Sequence, residues 1–540
     1  MSDLIHELIF KSADRFPDAE ALVYRKSRVS YSMLAQEVRT AGGSMLALGL
    51  DRGERVGVYL EKRPETVIAL FGATAAGGVF VPINPLLKSE QVAYILRDCN
   101  VRILVTSGER LKLLAAVLPQ CHDLRAVIVA SPAEALPVIA SLKVISWEDA
   151  LSQAEKAGAA GKVGEAGEVR AHRRIDGDMA AILYTSGSTG KPKGVVLSHR
   201  NLTAGAASVA QYLKNSPDDR ILSVLPLSFD YGLNQLTTAF RVGATGVLMN
   251  YLMPRDIIDT LEEESITGLA AVPPLWIQLA QLKWPKAISL RYITNSGGAM
   301  PRATLDLLRS SLPNTAVFLM YGLTEAFRST FLPPEQVDIR PDSIGKAIPN
   351  AEVLVLREDG SPCAAGEPGE LVHRGVHVSM GYWNDHEKTA ERFKPVLSRQ
   401  SGLTIPELAV WSGDTVRMDE EGFLYFIGRR DEMIKTSGYR VSPMEVEEVL
   451  YATELVAEAA AIGVPHPVLG QAIVVVATPR SDAGLDREAL FAACKLHLPA
   501  FMLPSRIEFR QGNLPRNPNG KIDRKLLAQE LQDAFEEPGA

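Results

Sequence analysis

The sequence predicts an α/β protein, because short runs of β-branched and apolar residues alternate with longer helical patterns along most of its 540 residues. Buried strands that are separated by helical crossovers predict mostly parallel sheets with helices on both faces. The length also exceeds that of one ordinary domain. A content of 46% hydrophobic and 22% charged residues is that of a globular chain, and it excludes general disorder.

The first part of the chain contains most of the predicted parallel strands. The opening segment MSDLIHELIFK has the pattern of an amphipathic helix and lacks the parts of a secretory signal. The uncharged stretch 67–83 is slightly too short to span a membrane, and Gly77 and Gly78 divide it, so a helix followed by a buried strand is favoured. The predicted strands are RVGVYL, VFVPIN, RILVTS, AVIVAS, GATGVLM, ITGLAAV and LRYITNS.

The predicted elements change from about Glu352, where shorter strands and turns indicate an antiparallel, β-rich subdomain. Beyond Arg430 follow a helix, a strand and a second helix, PMEVEEVLYAT, QAIVVVATP and REALFAACKLHL, in a segment long enough to fold alone. We therefore predict a large N-terminal domain, 1–430, and a small α+β C-terminal domain, 431–540. The low-complexity patch 157–169 is predicted to be a mobile surface excursion without chemistry.

The charge of the chain argues against nucleic-acid binding, and its cysteines argue against a zinc site. The net charge of -7 does not provide the basic face that nucleic-acid binding requires. Cys99, Cys121, Cys363 and Cys494 stand far apart and have neither the spacing nor the histidines of a zinc site. We expect reduced thiols in a cytoplasmic protein.

A loop rich in glycine, hydroxyl and basic side chains follows the apolar run MAAIL, and residues 184–200 read YTSGSTGKPKGVVLSHR. It does not fit the Walker phosphate loop, because Pro192 occupies the Ser/Thr position and Thr185 the position of the first glycine. A plain glycine-rich turn is the second alternative. Successive amides of such a loop form an anion-binding nest, and Lys191 and Lys193 add charge, so we favour oligophosphate binding.

Seven segments spread over nearly the whole chain carry the functional signal. They are YTSGSTGKPKGVVLSHRNL (184–202), NSGGAMP (295–301), YGLTE (321–325), GELVHRG with GYWN (369–375, 381–384), WSGD (411–414), GRRDEMIKTSGYRVSPMEVEE (428–448) and LPRNPNGKIDRKLL (514–527). In this order they resemble the signatures of the AMP-forming adenylation superfamily of acyl-CoA synthetases, peptide-synthetase adenylation domains and firefly luciferases. The residues of these motifs are most similar to those of acyl-CoA ligases of bacterial exosortase-associated gene sets.

The resemblance implies a two-step ligase. A carboxylate attacks the α-phosphorus of ATP, with Mg²⁺ bound, to give acyl-AMP and pyrophosphate, and a thiol of coenzyme A or phosphopantetheine then takes the acyl group. Two anions must meet in the first step, and at 4 Å two unit charges repel by about 4 kcal/mol at an effective dielectric constant of about 20. The site must therefore supply cations and hydrogen-bond donors.

The resemblance also assigns a nucleotide site. Thr324 would contact the α-phosphate, Glu325 would bind Mg²⁺, and Asp414 would accept hydrogen bonds from both ribose hydroxyls. Val410 and Ser412 stand where the family often has an aromatic residue and a threonine. The other residues implied to contact ATP or AMP are Thr185, Ser186, Gly187, Ser188, Thr189, Gly190, Lys193, Gly297, Gly298, Ala299, Tyr321 (stacked on adenine), Gly322 and Arg429. Taken alone, Glu325 would be interpreted as a solvated loop acid, and a surface ion pair is the alternative for Arg429.

The C-terminal domain is implied to swing about a hinge at Asp431. In one position Lys521 would bridge the substrate carboxylate and the α-phosphate, although a lysine in a Pro-Asn-Gly turn taken alone is more typical of a solvent-facing charge. In the other position Ser437, Gly438 and Tyr439 would line the thiol tunnel, where the missing side chain of Gly438 leaves room for the pantetheine arm.

The acid pocket is expected around PLSFDYGLNQL, where many acyl-CoA synthetases resemble P-L-F-H-x-x-G. Phe229 replaces the histidine and Asp230 follows it, as in amino-acid-activating domains whose aspartate binds the substrate ammonium. An unpaired carboxylate facing an alkyl chain would cost several kcal/mol, which disfavours a plain fatty acid. Alternatively, Asp230 caps the next helix. Asn295, Ser296 and Trp276 are further pocket candidates, with core packing as the alternative for Trp276.

We therefore predict an AMP-forming acid–thiol ligase, whose partners are a carboxylic acid or amino acid and coenzyme A or an acyl carrier protein. Nucleic acid and an integral membrane segment are not expected. The main alternative is an aminoacyl-carrier-protein ligase, and no feature favours a luciferase-like oxygenase. A non-catalytic acyl- or nucleotide-binding relative is disfavoured, because Glu325, Asp414, Arg429 and Lys521 are all intact.

Overall fold

The structure is a computed structural model that describes residues 4–131, 139, 142–157, 172–185, 192–396, 406–429, 432–436, 439–466, 469–480, 486–517 and 520–535. Several predictions fall outside these residues. They concern the low-complexity patch beyond residue 157, the loop residues Ser186, Gly187, Ser188, Thr189 and Gly190, the hinge residue Asp431, and the tunnel residues Ser437 and Gly438.

The helices follow the predicted order, and the opening amphipathic helix is confirmed as α1. They are α1 (Glu7–Arg15), α2 (Tyr31–Ala47), α3 (Pro64–Ala76), α4 (Ser89–Asp98), α5 (Gly108–Leu114), α6 (Trp147–Ala157), α7 (His199–Tyr212), α8 (Asp230–Val242), α9 (Pro254–Glu263), α10 (Pro273–Ala280), α11 (Arg302–Ser311), α12 (His386–Arg392), α13 (Pro443–Ala452), α14 (Arg487–His497) and α15 (Arg524–Glu530).

The strands include all those predicted above. They are β1 (Glu20–Tyr24), β2 (Ser27–Ser30), β3 (Arg55–Tyr59), β4 (Val79–Pro82), β5 (Val101–Ser107), β6 (Ala126–Ala130), β7 (Lys143–Ser146), β8 (Met179–Thr185), β9 (Lys193–Ser198), β10 (Arg220–Ser223), β11 (Thr245–Leu248), β12 (Gly268–Ala271), β13 (Tyr292–Asn295), β14 (Ala316–Leu323), β15 (Phe327–Leu332), β16 (Ser343–Ala347), β17 (Ala351–Leu356), β18 (Gly369–Gly375), β19 (Phe393–Pro395), β20 (Leu408–Met418), β21 (Leu424–Arg429), β22 (Ile434–Thr436), β23 (Tyr439–Val441), β24 (Val456–His466), β25 (Gly470–Pro479) and β26 (Arg506–Phe509).

Among the described residues the strands form three sheets, which confirm the α/β class. The first has the order β7-β6-β5-β3-β4-β8-β9 and is parallel except at the β8–β9 hairpin. The second is parallel from β1 through β11, β10, β12 and β13 to β14. It continues antiparallel through β15, β16, β21, β20, β18 and β17, so the β-rich region is present but begins at Phe327, before its predicted start near Glu352.

Helices α2 and α3 pack tightly against each other, and their buried side chains share one core with residues of the first two sheets. A Cβ atom added to Gly72 would lie 3.2 Å from the backbone nitrogen of Gly42, so these glycines allow the close approach. Phe71 meets Phe240 of α8 edge to face at a centroid distance of 5.4 Å. Burying one such ring stabilises the fold by about 1.5–3 kcal/mol.

The uncharged stretch 67–83 is confirmed as a helix followed by a buried strand, since it comprises most of α3 and all of β4. In the part of the chain that the structure describes, no helix has both the length and the apolar character needed to cross a bilayer.

The third sheet, β23-β22-β25-β24 with β26 beside β25, forms the C-terminal region. Alternate residues of β24 enter two cores, with Ala459 in the core under α13 and Ala460 in the core under α15. Glu447 of α13 is buried and accepts a hydrogen bond from Nη2 of Arg524 in α15 at 2.7 Å. A hydrogen bond of 2.9 Å from Arg480 Nη2 to Gln281 Oε1 links this region to the end of helix α10.

A backbone contact in the second sheet gives the first prediction. Gly345 has φ 83°, and a Cβ atom there would lie 1.8 Å from the carbonyl oxygen of Phe331 on the neighbouring strand. Gly360 has φ 81° but nothing within 4 Å. Both alanine substitutions incur the left-handed backbone penalty of about 1–2 kcal/mol, but only Gly345→Ala adds a clash with backbone.

We therefore expect Gly345→Ala to lower the apparent Tm by several degrees more than Gly360→Ala, as measured by thermal denaturation of the purified proteins. Equal shifts for the two variants would contradict the close approach of β15 and β16.

Candidate active site

The candidate site lies at the carboxyl ends of parallel strands, where ligands bind in open α/β sheets. Strand β13 ends at Asn295, and strand β14 ends just before Thr324 and Glu325. Helix α8 begins beside them at Asp230. Asn295, Ser296 and Thr324 are buried, so the strand ends form the floor of the cleft.

A glycine turn after β13 brings the C-terminal region into the cleft. Gly297 has φ 84°, and a Cβ atom there would lie 3.5 Å from Lys521 Cε and 3.8 Å from Phe229 Cζ. The turn is fixed by a hydrogen bond of 3.0 Å from Asn295 Nδ2 to the carbonyl oxygen of Gly298. Residues that are 224 positions apart in the sequence thus meet at one point, since the turn is at 297 and the lysine at 521.

Lys521 is part of a turn that other residues of the C-terminal region position. Its backbone N–H donates to Asn517 Oδ1 at 3.1 Å, and Arg516 Nη1 donates to the carbonyl oxygen of Gly520 at 2.8 Å. Glu458 of β24 in turn binds Arg516 and accepts the N–H of Leu514 at 2.6 Å.

Lys521 is surrounded by protein but remains open to solvent. The residue keeps accessible surface, yet the surrounding protein lowers the pKa of its ammonium group by desolvation, and Arg429 lowers it further. Glu432, Asp414 and Asp230 act in the opposite direction. Because the surface remains accessible, the position is interpreted as a cleft open to small molecules, rather than a sealed core.

Asp414 is the centre of a hydrogen-bonded cluster on the antiparallel side of the cleft. The Tyr321 hydroxyl donates to its Oδ2, and Arg429 Nε donates to its Oδ1 at 3.1 Å. Burial raises the pKa of Asp414, and both Arg429 and Tyr321 oppose this effect. Arg429 therefore does form an ion pair, as its alternative interpretation has it, but the partner is the buried carboxylate of Asp414.

Ser412 explains why the altered motif WSGD still forms this cluster. Its hydroxyl donates to the carbonyl oxygen of Leu371 at 2.6 Å and accepts the N–H of Asp414 at 3.1 Å. The Gly413 N–H donates to Glu370 Oε1 at 2.9 Å. A serine hydroxyl thus fixes the orientation of Asp414 without the threonine that the family often has.

The Tyr321 ring, expected to stack on adenine, already has two aromatic neighbours. It stacks against His373 at a centroid distance of 5.9 Å and lies 6.1 Å from Phe426. Burial lowers the pKa of His373 to about 3, so the imidazole is neutral at physiological pH. These contacts fix the ring of Tyr321 beside Asp414.

Glu325 has a partner that the sequence reasoning missed. The hydroxyl of Tyr382 donates to Glu325 Oε1 at 2.6 Å, and Lys193 Nζ lies 5.6 Å from the centre of the Tyr382 ring. Thr185 pairs with Lys193 in the β8–β9 hairpin, so the described end of this hairpin lies near Tyr382. Tyr382 belongs to the GYWN motif, and this motif is the feature of the sequence that could have indicated the contact.

The acid-pocket candidates lie at different depths in the protein. Phe229 lies beside the glycine turn, whereas Trp276 is 0% exposed and its indole N–H donates to the carbonyl oxygens of Ala271 and Thr294, at 3.0 and 3.2 Å. Trp276 therefore packs in the core, as its alternative interpretation expects. Helix α8 begins at Asp230, and its N-cap is Phe229, so the interpretation of Asp230 as the cap residue was wrong.

Asp230 faces charged groups of both signs. Burial raises the pKa of its carboxyl group, Glu325 raises it further, and Arg328 and Lys521 lower it. Arg328, which the sequence reasoning missed, is 2% exposed on β15.

The structure thus brings together the predicted residues of the glycine turn, YGLTE, WSGD and Lys521. For the predicted tunnel it gives only the backbone of Tyr439 in β23.

The chain matches known families and proteins over almost its full length. Residues 9–383 match the AMP-binding enzyme family, and residues 445–521 match the AMP-binding enzyme C-terminal domain. The chain is 30% identical to the L-proline--[L-prolyl-carrier protein] ligase of Pseudomonas fluorescens, with 98% of this chain and 99% of that protein aligned. It is 28% identical to a long-chain-fatty-acid--CoA ligase of Bacillus subtilis, with 97% and 94% aligned.

Much longer proteins also match. The chain is 29% identical to linear gramicidin synthase subunits D and C of Brevibacillus parabrevis over 97% of its residues, but it spans only 10% and 6% of their lengths.

Two solved structures at 25% identity share the fold. ATP-bound MatB from Rhodopseudomonas palustris has a TM-score of 0.84 with 99% of this chain and all of that chain covered. MenE from Bacillus subtilis, in complex with ATP and magnesium ion, has a TM-score of 0.79 with 96% and 98% covered.

The contacts of Glu458 give the second prediction. Glu458→Gln removes the charge that holds Arg516, and through it the turn of Lys521, so we expect acid-dependent exchange of labelled pyrophosphate into ATP to fall about tenfold. The matched control is Glu530→Gln, which breaks the exposed Arg510–Glu530 pair of 2.6 Å in the same region and is expected to have little effect. Similar exchange rates in the two variants would contradict the positioning role.

Proposed function

Because this chain belongs to the AMP-binding enzyme family, we propose that it activates a carboxylic acid with ATP and passes the acyl group to a thiol. The products of the first step are acyl-AMP and pyrophosphate, and those of the second are a thioester and AMP. The observation that carries the proposal is the meeting of Lys521 with the glycine turn at Gly297, beside the Asp414 cluster.

The first step needs positive charge between two anions, and Lys521 supplies it. The substrate carboxylate and the α-phosphate repel each other by about 4 kcal/mol at 4 Å and an effective dielectric constant of about 20. An ammonium group between them reverses the sign of the local interaction. Its role is electrostatic, and the lowered pKa of Lys521 implies that activity falls at lower alkaline pH than an unperturbed lysine would give.

In this proposal the nucleotide is held by the Asp414 cluster, by the glycine turn with the adjoining strand, and by the phosphate loop. Asp414 accepts the ribose hydroxyls, with Arg429 nearby, and Tyr321 packs on the base. Small residues let adenine approach the backbone, and Thr324 contacts the α-phosphate. The assigned residues at the turn and the adjoining strand are Gly297, Gly298, Ala299 and Gly322, and those of the phosphate loop are Thr185, Ser186, Gly187, Ser188, Thr189, Gly190 and Lys193.

Magnesium fits the oxygen donors of Glu325. The described residues contain no group of three or more His, Cys, Asp or Glu side chains that could hold a metal ion. Mg²⁺ is commonly bound by one or two carboxylates together with phosphate oxygens and water. We assign Glu325, oriented by the hydroxyl of Tyr382, as the protein ligand, and the ion would neutralise charge on the phosphates.

For the second step we propose that the C-terminal domain, 431–540, rotates against the N-terminal domain, 1–430, about Asp431. Rotation withdraws Lys521 and brings Ser437, Gly438 and Tyr439 to the cleft to line the path of the thiol. Coenzyme A or the phosphopantetheine arm of a carrier protein is the acceptor, and we place the enzyme in the cytoplasm.

An aminoacyl-carrier-protein ligase is the second candidate. Two observations favour it, namely the position of Asp230 at the cleft end of α8 and the full-length similarity to a ligase whose name specifies L-proline and its carrier protein. In this alternative the carboxylate of Asp230 binds the ammonium group of the amino acid.

The third prediction tests the role of Lys521 directly. Lys521→Ala is expected to reduce acid-dependent pyrophosphate release by at least about a hundredfold, because the two anions lose their shared cation. Thioester formation from supplied acyl-AMP should remain within about threefold of wild type, since Lys521 leaves the site in that step. Both rates are measured with purified protein.

The matched control is Lys525→Ala, which removes an exposed lysine four residues further along the same region and should leave both rates unchanged. Loss of both half-reactions in Lys521→Ala, with normal rates in the control, would refute the assigned role.

A further inference from the structure

Arg328 is a buried cation at the acid pocket that the proposed mechanism does not use. It pairs with Gly322 in the β14–β15 hairpin and is 2% exposed. The hairpin is irregular at this point, with a shift of register between Tyr321 and Gly322 and a left-handed φ of 59° at Phe327. Strained backbone of this kind persists where the surrounding structure enforces it, and it clusters at functional sites.

Aromatic rings surround the guanidinium group. Its central carbon lies 4.9 Å from the ring centre of Tyr231 and 5.0 Å from that of Phe327. Among the described residues, neither Nε nor Nη2 of Arg328 has a hydrogen-bond partner. Ring faces compensate only part of the charge of a desolvated cation, so a nearby anion is required to balance the rest.

The acidic residue beside these aromatic contacts is Asp230. It precedes Tyr231, whose ring Arg328 covers, and it opens helix α8 at the edge of the cleft. The charged groups that act on Asp230 are Arg328 and Lys521, both positive, and Glu325, which is negative. Arg328 is the strongest of the three in its effect on the pKa of Asp230. The guanidinium of Arg328 is therefore a permanent positive charge in the surroundings of this carboxylate.

We propose that Arg328 balances the charge of Asp230, and that the acid pocket therefore selects an acid bearing a neutral hydrogen-bond donor, such as a hydroxyl group, over the matching amino acid. The inference rests on the proposed function and specifies its substrate class. A hydroxyl donates to the Asp230 carboxylate without adding charge, whereas an ammonium group there would be repelled by the guanidinium. Like unit charges within about 10 Å of each other, at an effective dielectric constant of about 20, repel strongly enough to cost about tenfold in affinity.

Two other substrate classes fit less well. A plain alkyl chain would leave the Asp230 carboxylate without a hydrogen-bond donor in a partly buried site, which is unfavourable. A second substrate carboxylate would be repelled by Asp230, and two of the three guanidinium nitrogens of Arg328, Nε and Nη2, are enclosed by protein atoms.

Matched pairs of acids test the proposal. Acid-dependent pyrophosphate exchange is measured with L-lactate and L-alanine, glycerate and serine, and 3-hydroxypropionate and β-alanine, with propionate as the unsubstituted acid. We expect kcat/KM for at least one hydroxy acid to exceed that of its amino partner by about tenfold or more. Preference for the amino member in every active pair, or for propionate, would overturn the inference.

Variants then assign the preference to Arg328. Arg328→Met removes the charge at similar length and should reduce the hydroxy-to-amino ratio about tenfold or more, while Arg328→Lys keeps the charge and should retain the ratio. An unchanged ratio in Arg328→Met would refute the role. If this variant does not fold, the wild-type ratios and Asp230→Leu decide, because that change removes the hydrogen-bond acceptor and should remove the advantage of the hydroxy acid over propionate.

The outcomes separate this inference from the proposed function. Failure of every acid class to support exchange would refute the proposed adenylation itself. Exchange that favours amino acids would leave adenylation intact and refute only the role of Arg328.

Discussion

The contact of Lys521 with the turn at Gly297 is the constraint on which the site depends. It brings a cation from the last part of the chain to the carboxyl ends of strands in the large parallel sheet. The hydrogen-bond series from Glu458 through Arg516 to the carbonyl oxygen of Gly520 holds the lysine's turn. In the proposed mechanism, charge placed in this way acts on the first half-reaction, and its withdrawal frees the cleft for the second.

The cleft is built from residues that are each fixed by a second residue behind them. Tyr382 orients Glu325, Ser412 orients Asp414, and Asn295 fixes the glycine turn. Such support lowers the reorganisation needed when charge develops on the phosphates. The proposed acid pocket follows the same pattern, with Arg328 near Asp230, and in our proposal the supporting residue also determines which substrate charge is acceptable.

Much of the fold follows from local pattern, because strands such as β5 and β12 are short apolar runs bounded by turn residues. The supporting contacts do not, since Tyr382 and Glu325 are 57 residues apart and Glu458 and Arg516 are 58 apart. The burial of individual side chains likewise could not be predicted from the sequence. The resemblance supplied motif positions, but it could not reveal a cation on the irregular β15 or the buried position of Trp276.

Cross-linking tests the central claim most directly, because Arg480 and Gln281 join the two regions by one hydrogen bond of 2.9 Å. Cysteines at both positions, in a Cys363→Ser background that removes the only described cysteine that is not buried, are joined by a short bismaleimide. Each single-cysteine variant, treated identically, is the control. The account predicts that the linked enzyme retains acid-dependent pyrophosphate exchange and loses thioester formation. Undiminished thioester formation, or loss of exchange alone, would contradict it.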